Sequence, residues 1–130
     1  MENIDSKIKI IETDNSPKAI GPYSQAVSFD NFIFCSGQIG INPQTGLLVD
    51  GIKNQTIQVL KNIKNILDSC GSSMNKVVKT TIFLTDINNF SEVNEIYETF
   101  FTSTKPARST VCVASLPKNA LIEIEAIAIK

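Results

Sequence analysis

Arg108 is the single arginine of the chain; the other eleven basic residues are lysines. It follows Pro106-Ala107 at the mouth of an apolar, strand-like run, where a stiffened backbone would aim its planar fork. A guanidinium holds a carboxylate or phosphate through two parallel N–H bonds, which a lysine cannot reproduce. The same residue also reads as half of a surface ion pair, and composition does not separate the two. Glu123 and Glu125 lie in the last apolar run. In a strand both would project from one face, about 7 Å apart. Two carboxylates on an otherwise apolar face are costly unless paired or used. Repulsion and partial burial would raise the pKa of at least one, which suits a general base; the plainer reading is a pair of rim charges met by lysines.

Three further positions could line a pocket. Tyr23, behind Gly21-Pro22, sits on a rigid turn and either caps a cavity or simply packs. Ser36-Gly37 is expected to end the third strand, where a glycine lets a ligand approach the backbone amide or serves a local purpose only. Asn94, between Val93 and Ile96-Tyr97, stands at the edge of a site or in solvent.

The absences narrow the chemistry. With no histidine, a Ser–His–Asp triad, a Cys–His dyad and a His general base are all excluded. Cys35, Cys70 and Cys112 form no Cys-x-x-Cys pair and offer no zinc spacing, so no metal is expected and all three read as buried thiols. Gly37-Gln38-Ile39-Gly40 lacks the spacing of a nucleotide loop. A net charge of -1 and a pI of about 5.4, with scattered lysines, weigh against nucleic acid as the main partner. Met1 to Lys9 has no apolar stretch, so no signal peptide is read, and no segment approaches a membrane span. The cytoplasm is the expected location. Catalysis would have to use Arg, a carboxylate, Tyr, hydroxyls, backbone amides and water.

The elements that would position these groups follow from periodicity. At 130 residues the chain fits one domain, 1–130, with flexibility expected only in about the first eight residues. Lys7 to Ile11, Ala26 to Phe29 and Asn31 to Ser36 read as strands, the last two joined by a tight turn at Asp30-Asn31. Ile52, Thr56, Val59, Leu60, Ile63, Ile66, Leu67 and Cys70 recur at helical spacing. Asp50 is the expected N-cap of that helix and Gly71 its C′ residue. Val77 to Thr85 reads as a strand. Asn89 and Glu92 suggest a capping box before a second helix with Phe90, Val93, Ile96, Tyr97 and Phe100 on its apolar face. Ser109 to Ala114 and Leu121 to Ile129 complete the strands. The expected fold is α+β: a single mixed sheet of about six strands with both helices on one face. Phe32, Ile33 and Phe34 make their strand apolar on both sides, and Leu121, Ile127 and Ile129 flank Glu123 and Glu125 on the second face of the last strand. An apolar face that no helix covers implies a homo-oligomer.

Five segments together resemble the RidA/YjgF family, also called endoribonuclease L-PSP. They are Ala19-Ile20-Gly21-Pro22-Tyr23-Ser24-Gln25, Ser36-Gly37-Gln38-Ile39, Pro106-Ala107-Arg108-Ser109, Leu116-Pro117-Lys118 and Ile122-Glu123-Ile124-Glu125-Ala126-Ile127-Ala128. The likeness runs from about Ile10 to the C-terminus, and its specificity lies in five segments in register. It implies a chorismate-mutase-like fold, a homotrimer with sites between subunits, and cofactor-free hydrolysis of 2-imino acids to 2-keto acids and ammonia. By the same resemblance Arg108 would hold the substrate carboxylate and Glu123 would orient or activate water. Tyr23, Ser36, the Gly37 backbone and Asn94 would line the pocket. Many members carry Cys where this chain has Thr110, so Thr110 joins the expected pocket while thiol-dependent behaviour does not carry over. The older family name raises cleavage of messenger RNA as an alternative. A third class is a non-catalytic trimer that binds small carboxylates or acts as a holdase.

Overall fold

The computed structural model describes residues 7–130. The flexibility expected near the N-terminus therefore lies, for residues 1–6, outside the described residues. Ile8 already belongs to the first strand. The strands are β1 (Ile8–Ile11), β2 (Ala26–Phe29), β3 (Phe32–Ile39), β4 (Val77–Leu84), β5 (Ala107–Cys112) and β6 (Ile122–Ile129). The helices are α1 (Gly51–Ser69) and α2 (Phe90–Phe100). One six-stranded sheet has the order β1-β2-β3-β6-β4-β5. Every neighbouring pair is antiparallel except β4 and β5, which α2 connects in parallel.

Strand parity decides the two faces. Ile33, Cys35, Thr80, Ile82, Leu84, Ile122, Ile124, Ala126 and Ala128 turn inward and are buried. Against them α1 lays Val59, Leu60, Ile63, Ile66 and Leu67, all fully buried, each worth about 1.5–3 kcal/mol relative to exposure. Val93 and Tyr97 of α2 join the same core, and the Tyr97 hydroxyl reaches Thr80 of β4, so both helices cover one face. Phe32, Phe34, Val111 and Ile129 remain exposed on the other side.

Several local expectations change. The helix periodicity placed α1 correctly, and Gly71, at φ +82, takes the left-handed conformation that ends it. Asp50 occupies the N-cap position, but its side chain makes no capping bond. The Asn89–Glu92 capping box does not form. Asn89 already has helical φ and ψ, because a 3₁₀ turn at Ile87–Asn89 feeds straight into α2. The carboxylate of Asp86 starts that turn by accepting from the Asn88 N–H. β3 does not stop at Ser36-Gly37 but continues to Ile39, with its register against β6 shifted between Cys35 and Gln38. β5 begins two residues earlier than expected, at Ala107, so that Arg108 is its second residue. Of the three thiols only Cys35 is buried; Cys70 is half-buried and Cys112 exposed on edge strand β5.

Candidate functional site

Glu123 is reached from the open face. It pairs with Phe83 of β4 and Ile39 of β3, while its neighbours Ile122 and Ile124 point into the core. The register shift in β3 lays Gly37 under its side chain. A Cβ at residue 37 would stand 2.6 Å from Glu123 Oε2, so only glycine lets the carboxyl rest there. Burial, and then the charge of Glu125 beside it, push the Glu123 carboxyl above its ordinary pKa, as its spacing anticipated.

A cleft of about 520 Å³ opens over this carboxylate, and its walls include Tyr23, Ser36, Gly37, Ile39 and Lys118. Tyr23 is exposed at its rim, on a tight turn closed by its N–H donating to the Gly21 carbonyl at 2.9 Å. The segment before it is anchored by buried Gln25. Its amide nitrogen donates to the carbonyls of Thr13 at 3.0 Å and Pro17 at 2.8 Å, and its oxygen accepts from the Thr13 N–H at 2.7 Å. The Ser36 hydroxyl donates to the Ser24 carbonyl at 2.6 Å, so towards the cleft it can act only as an acceptor.

Arg108 lies elsewhere. It aligns with Thr80 in the parallel β4–β5 pair and therefore sits on the helix-covered side, at the sheet edge. There it lines a second cleft of about 300 Å³ with Asn94, Tyr97, Glu98, Phe101, Lys105 and Pro106. Its Cζ stands 5.0 Å from the Tyr97 ring centroid and 5.6 Å from that of Phe90. Among the described residues it makes no ion pair. Thr110, two positions along, shares the Arg108 face. Its Oγ1 is the one buried side-chain oxygen or nitrogen without a hydrogen-bond partner among the described residues.

The expected site residues thus fall into two groups. Tyr23, Ser36, Gly37 and Glu123 gather in one cleft, and Asn94 and Arg108 line the other, with Thr110 beside Arg108 on β5. Neither of these two clefts contains both Arg108 and Glu123. Sequence reasoning passed over Phe90 and Tyr97, which helical spacing assigned to the core without showing that they also face Arg108. Among the described residues no three His, Cys, Asp or Glu side chains cluster so that they could hold a metal ion. Cys35 is buried, and burial, then Cys70, push its thiol up to about 12, which disfavours the thiolate. Among the described residues no helix is long and apolar enough to cross a membrane.

Comparison with known proteins sets this geometry in a family. The family model described as Endoribonuclease L-PSP matches residues 13–130. A RutC family protein of Pyrococcus horikoshii is 55% identical, over 94% of this chain and 98% of that protein. The 2-iminobutanoate/2-iminopropanoate deaminase of Escherichia coli is 50% identical over 94% of this chain and 98% of its own length. A crystal structure of a Rid-family protein from Yersinia pestis superposes with a TM-score of 0.93 at 57% identity, covering 95% of this chain and 99% of the other. With a match spanning nearly all of its length at this level of identity, the chain belongs to the RidA/YjgF family, the group of the endoribonuclease L-PSP model.

Proposed function

We propose that this protein is a cytoplasmic homotrimer that hydrolyses reactive 2-imino acids, 2-iminopropanoate and 2-iminobutanoate, to 2-keto acids and ammonia. One observation carries the reading. A chain half identical to a named deaminase presents a guanidinium that has no carboxylate partner among the described residues and a glutamate of raised pKa, on opposite sides of a sheet whose open face is apolar. Each half-site is incomplete alone. Seating the open face of one protomer against the β5 edge of the next joins Arg108, Asn94 and Thr110 of one chain to Glu123, Tyr23, Ser36 and Gly37 of another.

In that joint cleft Arg108 holds the substrate carboxylate bidentately, which presents the imine carbon to a water at Glu123. The carboxylate of Glu123 accepts a proton as the water oxygen bonds to carbon and the C=N electron pair moves onto nitrogen. The resulting carbinolamine then collapses. In that collapse Glu123 first returns its proton to the nitrogen, giving a neutral amino group. It then takes the hydroxyl proton and passes it to the same nitrogen as C–O becomes C=O and the C–N bond breaks, releasing ammonia. The imine carbon is already electrophilic, so positioning supplies most of the catalysis, and neither histidine nor a cofactor is drawn on.

The test is a coupled assay in which threonine dehydratase or an amino-acid oxidase generates the imine and keto-acid appearance is timed. Arg108→Ala should lose on the order of 100-fold in rate, the effect of two charge-assisted hydrogen bonds. Equal rates for the variant and the parent chain would remove the assignment. The description of the family model favours a second reading, RNA cleavage. That reading requires RNA binding with a steep salt dependence, and cleavage in metal-free buffer that is lost in Arg108→Ala.

A further inference from the structure

Arg108 is held in an unusual manner for an exposed arginine. Glu98 lines the same cleft, yet among the described residues no carboxylate forms an ion pair with the guanidinium and no acceptor takes a hydrogen bond from it. What it meets instead is aromatic. Phe90 and Tyr97 stand seven residues apart on α2, two helical turns along one face, and the Arg108 Cζ lies within 5.6 Å of both ring centroids. A cation held over ring faces spends none of its N–H donors and keeps its full charge, whereas a glutamate partner would occupy two donors and neutralise it.

The platform is itself fixed. Tyr97 is buried, its hydroxyl sits 2.7 Å from Thr80 Oγ1 on the neighbouring strand, and its ring packs at a tilt of 39° against Phe101 with centroids 4.5 Å apart. Thr80 is the residue that aligns with Arg108 in the β4–β5 register. One strand pair therefore sets both the origin of the arginine and the ring on which it rests.

We propose that Phe90 and Tyr97 are positioning residues for substrate recognition. Their rings hold the Arg108 guanidinium by its π system and leave its N–H fork free for an incoming carboxylate, and Thr80 locks the Tyr97 ring in place. This rests on the reading of Arg108 as the carboxylate anchor. The aromatic pair accordingly governs affinity for the anion rather than the proton-transfer step at Glu123.

The experiment measures Kd for 2-oxobutanoate by calorimetry, with KM and kcat in the coupled imine assay, on the full oligomeric protein. Phe90→Leu and Tyr97→Leu should each raise Kd and KM about tenfold while kcat at saturation changes less than about twofold. Phe90→Tyr, which keeps a ring face, should restore most of the affinity. Tyr97→Phe, which keeps the ring but frees it from Thr80, should lose about threefold. Loss of Tm in the leucine variants with unchanged Kd would assign both rings a merely structural role and overturn the proposal. If Tyr97→Leu does not fold, Phe90→Leu, at the half-buried start of α2, decides alone. Arg108→Ala separates the two levels. Lost binding in Arg108→Ala with intact binding in Phe90→Leu removes the platform and keeps the anchor, whereas intact binding in Arg108→Ala removes the anchor itself.

Discussion

Glu123 acquires its chemistry from where it stands. Folding raises its pKa, so the folded chain binds this proton more tightly than the unfolded chain does. The linkage sign follows: stability falls as pH rises from the ordinary carboxylate value through the raised one, and the cost is fully present above it. Glu123→Gln should therefore raise Tm near neutral pH and give no gain in acid below that window, while deamination is lost. In the parent enzyme the acid limb of the kcat/KM profile should sit above the usual carboxylate range. Because Glu125 supplies the second cause of the shift, Glu125→Gln should move that limb to lower pH without abolishing turnover; an unmoved limb would dissociate it from Glu123. Thr110 is the complementary case. A buried hydroxyl without a partner costs stability, so Thr110→Val, nearly isosteric, should stabilise the protein by about 1 kcal/mol in chemical denaturation.

At the scale of the element, the shifted register of β3 is what brings a backbone under a carboxylate. The irregularity between Cys35 and Gln38 puts Gly37 beneath Glu123, and the contact there involves the far end of a flexible side chain. Gly37→Ala should accordingly fold with little loss of stability, because Glu123 can swing aside. That displacement is about the ångström that costs a positioned reaction roughly 100-fold. Near-normal Tm with kcat reduced on that scale is the expected pair of measurements, and unchanged kcat would mean that the carboxyl position is not critical. α2 plays a corresponding part on the other side. Its inward residues build the core, while Asn94 and the rings of Phe90 and Tyr97 shape the surroundings of Arg108.

For the whole molecule, the separation of Arg108 and Glu123 has a direct consequence. If each working site draws Arg108 from one chain and Glu123 from another, two inactive variants should rescue each other. Unfolding and refolding an equal mixture of Arg108→Ala and Glu123→Gln should recover about a quarter of the parent activity, the fraction of random seams that keep both groups. No recovery from verified mixed oligomers would place both residues of a site in one protomer and contradict the proposed arrangement. Phe34, exposed on the open face, provides the second handle. If the proposed trimer forms through this face, Phe34→Glu should reduce the mass seen in light scattering from three chains to one and abolish turnover, with helix and strand content retained.

Much of this protein is legible in its amino-acid order. Periodicity located α1 and α2, apolar and β-branched runs located every strand to within a few residues, and the missing histidines left arginine, carboxylate, tyrosine, hydroxyls, backbone amides and water for any catalysis. Those features are local: they depend on spacings of two or on a helical repeat, which the chain displays before it folds. The β3 register shift, the failed cap at Asn89, the exposure of Cys112 and the aromatic seat of Arg108 were not legible. The cap failed because a local 3₁₀ turn runs straight into α2; the others depend on which elements lie side by side, a non-local pairing that residue order constrains only weakly. Arg108 and Glu123 illustrate the division. Their types announce an anion holder and a base, yet only the β1-β2-β3-β6-β4-β5 order and its parity set them on opposite sides of one sheet.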